Sequence, residues 1–162
     1  MDAFVYESDG EESTARLGRA LAEELPDGTV VALCGTLGAG KTRLAQAMAE
    51  ACGVNRRDVV SPTFVLMQPY HARRSLFHFD AYRIADEDEF LALGPDEYFE
   101  SDGLSLVEWA DRVAGCLPAE HVEVVAEVTG DSSRRFCVRA VGGRHREAIE
   151  AVGRRLGPSP QS

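Results

Sequence analysis

Gly35-Thr36-Leu37-Gly38-Ala39-Gly40-Lys41-Thr42 satisfies the pattern G-x-x-x-x-G-K-[ST], with an apolar run before it and a helix-like pattern after it. The residue types suit a polyphosphate. Glycines let successive backbone N–H groups turn inward towards phosphate oxygens. The positive N-terminal end of the next helix adds to that field. Lys41 is the only lysine in the chain, against sixteen arginines. A compact ammonium on a flexible stem fits between two phosphates inside a closed loop, whereas a planar guanidinium is bulkier and demands fork geometry. Gly38, Ala39, Gly40, Lys41 and Thr42 are therefore the candidate phosphate-binding residues. Lys41 would reach the β- and γ-phosphates, and the Thr42 hydroxyl would face Mg²⁺.

Such a loop needs a second metal ligand, normally an acid that closes an apolar strand. Two acids stand in that position: Asp80 ends "SLFHFD" and Glu108 ends "LSLVE". Each is a candidate to hold the metal or orient a water, and each would alternatively cap a following helix. Thr63, in "SPTF", follows the loop helix where a γ-phosphate sensor often sits, or is simply a turn residue after Pro62. Trp109 adjoins Glu108 and either packs in the core or shields the site. His78 alternates with Phe77 and Phe79, which favours a structural role.

These residues need a scaffold. Leu17, Leu21 and Leu25 recur every four residues and predict a helix over residues 10–25, with Asp9 and Glu12 spaced as a capping box. "TVVALC" (Thr29–Cys34) is a continuous apolar run, as in a strand buried on both faces. A helix follows from about Lys41 to Gly53, with Leu44, Ala45 and Met48 inward. "SPTFVLMQPY" begins as a loop and becomes extended, and with "SLFHFD" it predicts a hairpin. A short acidic helix follows in "ADEDEFLALG", "PDEYF" continues as another turn of helix or irregular chain, and "LSLVEW" reads as a buried strand. "HVEVVAEV" and "RRFCVRAV" form a second hairpin, and "RHREAIEAVGRRL" a final amphipathic helix with Ala148, Ile149, Val152 and Leu156 inward. The expected fold is α/β: a P-loop domain over residues 1–156, with a mixed, centrally parallel β-sheet flanked by helices and the site at the C-terminal ends of its strands. Residues 157–162 read as a disordered tail.

Composition narrows the function classes. The 162 residues carry a net charge of −10, whereas a protein that grips nucleic acid alone neutralises about 6–10 phosphates with basic side chains. The arginines of the C-terminal third read as a solvated face. Cys34, Cys52, Cys116 and Cys137 lack zinc or C-x-x-C spacing and read as small buried hydrophobes in a reducing compartment. No apolar run reaches the ~18 residues of a membrane span, and the acidic N-terminus lacks a signal pattern. The expectation is a cytoplasmic protein.

Five segments, "CGTLGAGKTRL", "SPTFVLMQPY", "FHFDAYRI", "LGPDEYF" and "DGLSLVEWADRV", occur in this order with short spacers. Together they resemble the TsaE (YjeE) family, from about Ser8 to Val113. The resemblance implies a small P-loop ATPase that binds ATP or ADP with Mg²⁺. It implies work with the proteins TsaD and TsaB, which transfer threonylcarbamoyl to an adenosine beside the tRNA anticodon, ATP hydrolysis resetting that complex; tRNA would be reached only through the partners, and no membrane is involved. Thr63, Asp80, Glu108 and Trp109 fall on family signature positions, and Thr14 falls where the family places a threonine near the nucleotide. One departure is Thr36, where the family usually has aspartate.

Two other classes fit the same loop. A small-molecule kinase would add an acceptor pocket and an arginine-bearing lid. A nucleotide-gated binding module would recruit a partner in its bound state, with hydrolysis incidental.

Overall fold

In the computed structural model, which describes residues 2–36, 38–59 and 66–157, strands and helices largely alternate along the chain. The strands are β1 (Ala3–Ser8), β2 (Thr29–Gly35), β3 (Met67–His71), β4 (Ser75–Asp80), β5 (Leu104–Glu108), β6 (His121–Val128) and β7 (Arg134–Val141). The α-helices are α1 (Glu11–Glu24), α2 (Lys41–Ala51), α3 (Glu87–Leu91), α4 (Pro95–Phe99) and α5 (Arg146–Leu156), with 3-10 segments at Arg56–Asp58 and Ala110–Cys116. Thr63 and the tail residues 158–162 lie outside the described residues.

The strands form one sheet in the order β1-β7-β6-β2-β5-β4-β3. The four central strands, β6, β2, β5 and β4, run parallel. Antiparallel partners flank them: β3 pairs with β4 as the expected hairpin, β7 pairs with β6, and β1 pairs with β7. The α/β fold with a mixed, centrally parallel sheet is thus present.

β2 shows why its run is apolar throughout. Val31 and Leu33 face a core shared with Leu17, Leu21, Leu44, Met48, Phe136 and Ile149, and so with α1, α2 and α5. Val30 and Ala32 face a second core with Phe77, Phe79, Phe90, Phe99 and Val107. Each fully buried side chain of this size contributes about 1.5–3 kcal/mol, so both sheet faces are held. Phe79 anchors the second core, its ring centroid 5.5 Å from that of Phe90 and 5.6 Å from that of Phe99.

Several local readings change. Gly10, not Asp9, caps α1, and no side chain bonds to that cap, so the capping box does not form. "AFVYES" is a strand where only an acidic N-terminus was read. Its register sets Tyr6 against Phe136 and Ser8 against Arg134; Tyr6 and Ser8 are both buried. Of the cysteines only Cys52 is buried; Cys137 lies on the exposed side of β7. The C-terminal arginines are largely a solvated face: Arg135 pairs with Glu7 and Glu127, Arg139 with Glu123, and Arg155 with Glu23 and Glu24.

Candidate functional site

β2 ends at Gly35, where φ is +136° and an added Cβ would lie 2.3 Å from the Ala126 carbonyl oxygen of β6. Only glycine lets the chain turn there so close to the neighbouring strand. The loop then closes on itself through the Ala39 N–H, which donates to the Thr36 carbonyl at 3.1 Å. The Ala39 methyl faces the core. Gly40 caps α2 in the left-handed region with no side-chain cap bond. The first intrahelical bond comes from Leu44 N–H to the Gly40 carbonyl. The N–H groups of Lys41, Thr42 and Arg43 therefore precede the helical ladder, which makes this helix end a cradle for an anion.

The Lys41 side chain is buried, with Nζ donating to the carbonyls of Gly35 at 2.7 Å and Thr36 at 2.8 Å. Its ammonium also lies 3.9 Å from the Trp109 ring centroid. Burial pushes the Lys41 pKa below the usual lysine range, while the charges of Glu108, Asp111 and Asp80 work against that shift. The Cys34 thiol beside it is pushed up to about 11, chiefly by burial, so it stays protonated.

Sheet register brings the acids together. Asp80 of β4 pairs with Glu108 of β5, and Glu108 pairs with Leu33 of β2, next to the phosphate loop. Both carboxylates are buried. They differ in their surroundings. Glu108 lines a cleft of about 380 Å³ with Gly38, Gly40, Lys41, Thr42 and Trp109, a size within the usual range for ligand sites. Asp80 lies one strand further out, and its Oδ1 accepts the Tyr82 N–H at 2.9 Å. That bond makes a turn rather than the helix cap weighed above.

Trp109 adopts left-handed backbone angles (φ 59°, ψ 40°). For a bulky residue this conformation costs about 1–3 kcal/mol and is concentrated at functional sites. The strain aims the indole back across Lys41, with the Tyr82 ring 4.9 Å away on centroids. Thr14 also lines the cleft, with Gly10 and Glu11. Its hydroxyl is 2.7 Å from that of Ser8, so the unread strand β1 fixes it.

Two contacts were not read from the sequence. His78 Nε2 lies 2.5 Å from Glu108 Oε2, both side chains being buried. Arg134, read as part of a solvated face, instead donates through Nε to the Gly38 carbonyl at 3.1 Å and through Nη1 to the Gly130 and Ser133 carbonyls. It ties the β6–β7 turn to the phosphate loop, and Asp131 and Ser132 of that turn complete the cleft wall. Both contacts span parts of the chain far apart in sequence, which local patterning does not relate.

Comparison with known proteins identifies the family and the fold. The family described as "Threonylcarbamoyl adenosine biosynthesis protein TsaE" matches residues 8–136. The chain is 39% identical over 144 residues to the tRNA threonylcarbamoyladenosine biosynthesis protein TsaE of Bacillus subtilis (strain 168), covering 88% of this chain and 89% of that one. It is 37% identical over 127 residues to the protein of the same name from Treponema pallidum (strain Nichols), covering 78% and 93%. A crystal structure of Bacillus subtilis YdiB superposes with a TM-score of 0.83 at 31% identity, covering 96% of this chain and 97% of that one. The family match, the shared fold and this degree of identity over most of the chain place it in the TsaE family of threonylcarbamoyladenosine biosynthesis proteins.

Proposed function

We propose that this chain binds ATP with Mg²⁺ in the cleft between the phosphate loop, Trp109 and the β6–β7 turn, and hydrolyses it slowly in support of threonylcarbamoyladenosine formation in tRNA. The observation that carries this reading is the convergence of three features on one cleft: an uncapped α2 N-terminus, a buried ammonium and the Glu108 carboxylate.

The residues fit the group they would hold. Backbone N–H groups at the start of α2 and the Lys41 ammonium suit phosphate oxygens. Thr42 is exposed on the cleft and Glu108 lines it; both offer hard oxygen donors. Among the described residues, no group of three or more His, Cys, Asp or Glu is arranged to hold a metal by itself. This suits Mg²⁺, which is commonly held by one or two carboxylates plus the phosphates of its nucleotide. Bound there, the cation would neutralise charge developing on the transferred phosphoryl group.

The chain's own residues then divide the work. Lys41 would leave the Gly35 and Thr36 carbonyls for phosphate oxygens, exchanging two neutral acceptors for charged ones. Trp109 covers the ammonium and excludes water from that side. Glu108, on the cleft wall, is the metal-side acid, and Asp80 acts one strand behind it. Thr63 is assigned to the γ-phosphate end from its place in "SPTF". Thr14, Glu11 and Arg134 also line the cleft and would flank the rest of the nucleotide.

The partners in this reading are TsaB and TsaD, with tRNA engaged through them. The net charge of −10 agrees with an indirect role towards RNA. No helix of the described residues is long and apolar enough to cross a membrane, and we assign the protein to the cytoplasm. Calorimetric titration of ATP with Mg²⁺, followed by phosphate release measured with and without a TsaB–TsaD pair, tests the proposal. Saturable uptake and turnover raised by the pair are expected. No uptake in either setting would overturn it.

A further inference from the structure

We infer that His78 is the positioning residue for Glu108, holding that carboxylate in the orientation in which it serves the metal. This rests on the proposed nucleotide reading and deepens it.

The sheet itself creates the pair. In β4, Leu76, His78 and Asp80 share one face, while Phe77 and Phe79 point into the second core. The parallel register sets His78 opposite Leu106 and Asp80 opposite Glu108. The imidazole and the Glu108 carboxylate therefore lie on the same face, diagonal neighbours across two strands. Their atoms meet at 2.5 Å, and the side chains are 4% and 3% exposed.

Packing alone does not call for a histidine here. The neighbours on this face, Leu76, Leu104 and Leu106, are fully buried and apolar. A polar ring among them is costly unless it is hydrogen-bonded. The same holds for a buried carboxylate at the foot of the cleft. Each group resolves the other's cost, and the geometry gains something an apolar pair would not supply. An ionised carboxylate only accepts, so in that state the bond runs from Nε2–H to Oε2. With Oε2 engaged, the carboxylate plane cannot rotate freely, and the direction of Oε1 is set before any ion arrives. Partners of this kind behind a metal ligand are typically worth about 10–100-fold in metal affinity.

The test separates the ion from the nucleotide. ADP affinity is measured by calorimetry in EDTA and across a Mg²⁺ titration, for the full-length wild type and for His78→Leu, His78→Asn and His78→Gln. Circular dichroism melts report folding. The Gln amide nitrogen stands near the position of Nε2, whereas the shorter Asn amide does not reach Glu108. His78→Leu and His78→Asn should need roughly 10–100-fold more Mg²⁺ to reach half-effect, with ADP affinity in EDTA unchanged. His78→Gln should return most of that loss. If His78→Leu does not fold, the Asn and Gln variants decide the matter. Equal Mg²⁺ midpoints across the folded variants would overturn the inference while leaving nucleotide binding intact. Failure of the wild type to bind ADP under either condition would overturn the functional reading and this inference with it.

Discussion

The Lys41 ammonium lies 3.9 Å from the centroid of the Trp109 ring. The two residues come from different elements, one from the start of α2 and the other just past the end of β5. Trp109 is the only tryptophan in the chain, so it reports on the site directly. Adding ATP with Mg²⁺ should change its emission saturably as the cation leaves the ring. The Lys41→Ala variant should show little of that change, and no change in the wild type would count against the site.

Removing the ammonium should also remove most of the turnover. Loss of one key electrostatic donor typically costs about 10²–10³ in rate, and Lys41→Ala should fall in that range in a phosphate-release assay. Lys41→Arg should not restore activity, because a planar fork does not fit where Nζ now sits between two loop carbonyls.

Arg134 offers a different kind of test. Its Nε and Nη1 bond to the loop and to the hairpin turn respectively. Arg134→Ala should release the turn from Gly38 and weaken ATP binding by about tenfold, the equivalent of roughly 1.4 kcal/mol. The melting temperature should move little, since the residue is only half-buried. A lysine lacks the second nitrogen needed for both contacts, so Arg134→Lys should recover only part of the affinity.

Gly18 sets the approach of α1 to α2. An added Cβ would lie 2.7 Å from the Ala47 Cβ and 3.1 Å from the Leu44 carbonyl oxygen. Gly18→Val should cost about 1–3 kcal/mol by overpacking, lowering the melting temperature by roughly 3–10 °C. Because α2 carries the phosphate cradle, nucleotide affinity should fall too. Thermal melts with and without ATP would separate the two effects.

His145 is buried at the start of α5, and neither ring nitrogen has a hydrogen-bond partner. Burial, followed by the Arg144 charge, holds its pKa below the ordinary 6.5. The unfolded chain therefore binds a proton in a range where the folded chain does not. Stability should fall as pH drops below about 6.5 and level off once the folded-state pKa is passed. His145→Gln should flatten that part of the pH profile in denaturant melts.

The central architecture was legible because β2, β4 and β5 are short, largely apolar runs and α2 follows its loop directly. Asp80 and Glu108 were legible for the same reason, as acids closing such runs. β1 was not. Its six residues are mostly part-exposed, and its meaning comes from pairing with β7, more than a hundred residues away. The His78–Glu108 pair was hidden in the same way, because a strand's alternation gives a residue's face but not which strand lies beside it. Arg134 resembled its surface neighbours Arg135 and Arg139 in type, and only the path of the hairpin turn distinguishes it. The Thr63 assignment lies outside the described residues.

The phosphate loop is braced from late in the chain. Gly35 rests against Ala126, Gly40 against Phe136, and Gly38 accepts a bond from Arg134. During synthesis, the loop leaves the ribosome about a hundred residues before these supports do. A nascent chain that stops short of β7 thus carries the whole glycine-lysine signature and still lacks the surface that shapes it. On the proposed reading, the capacity to capture nucleotide should switch on only when translation has passed the second hairpin.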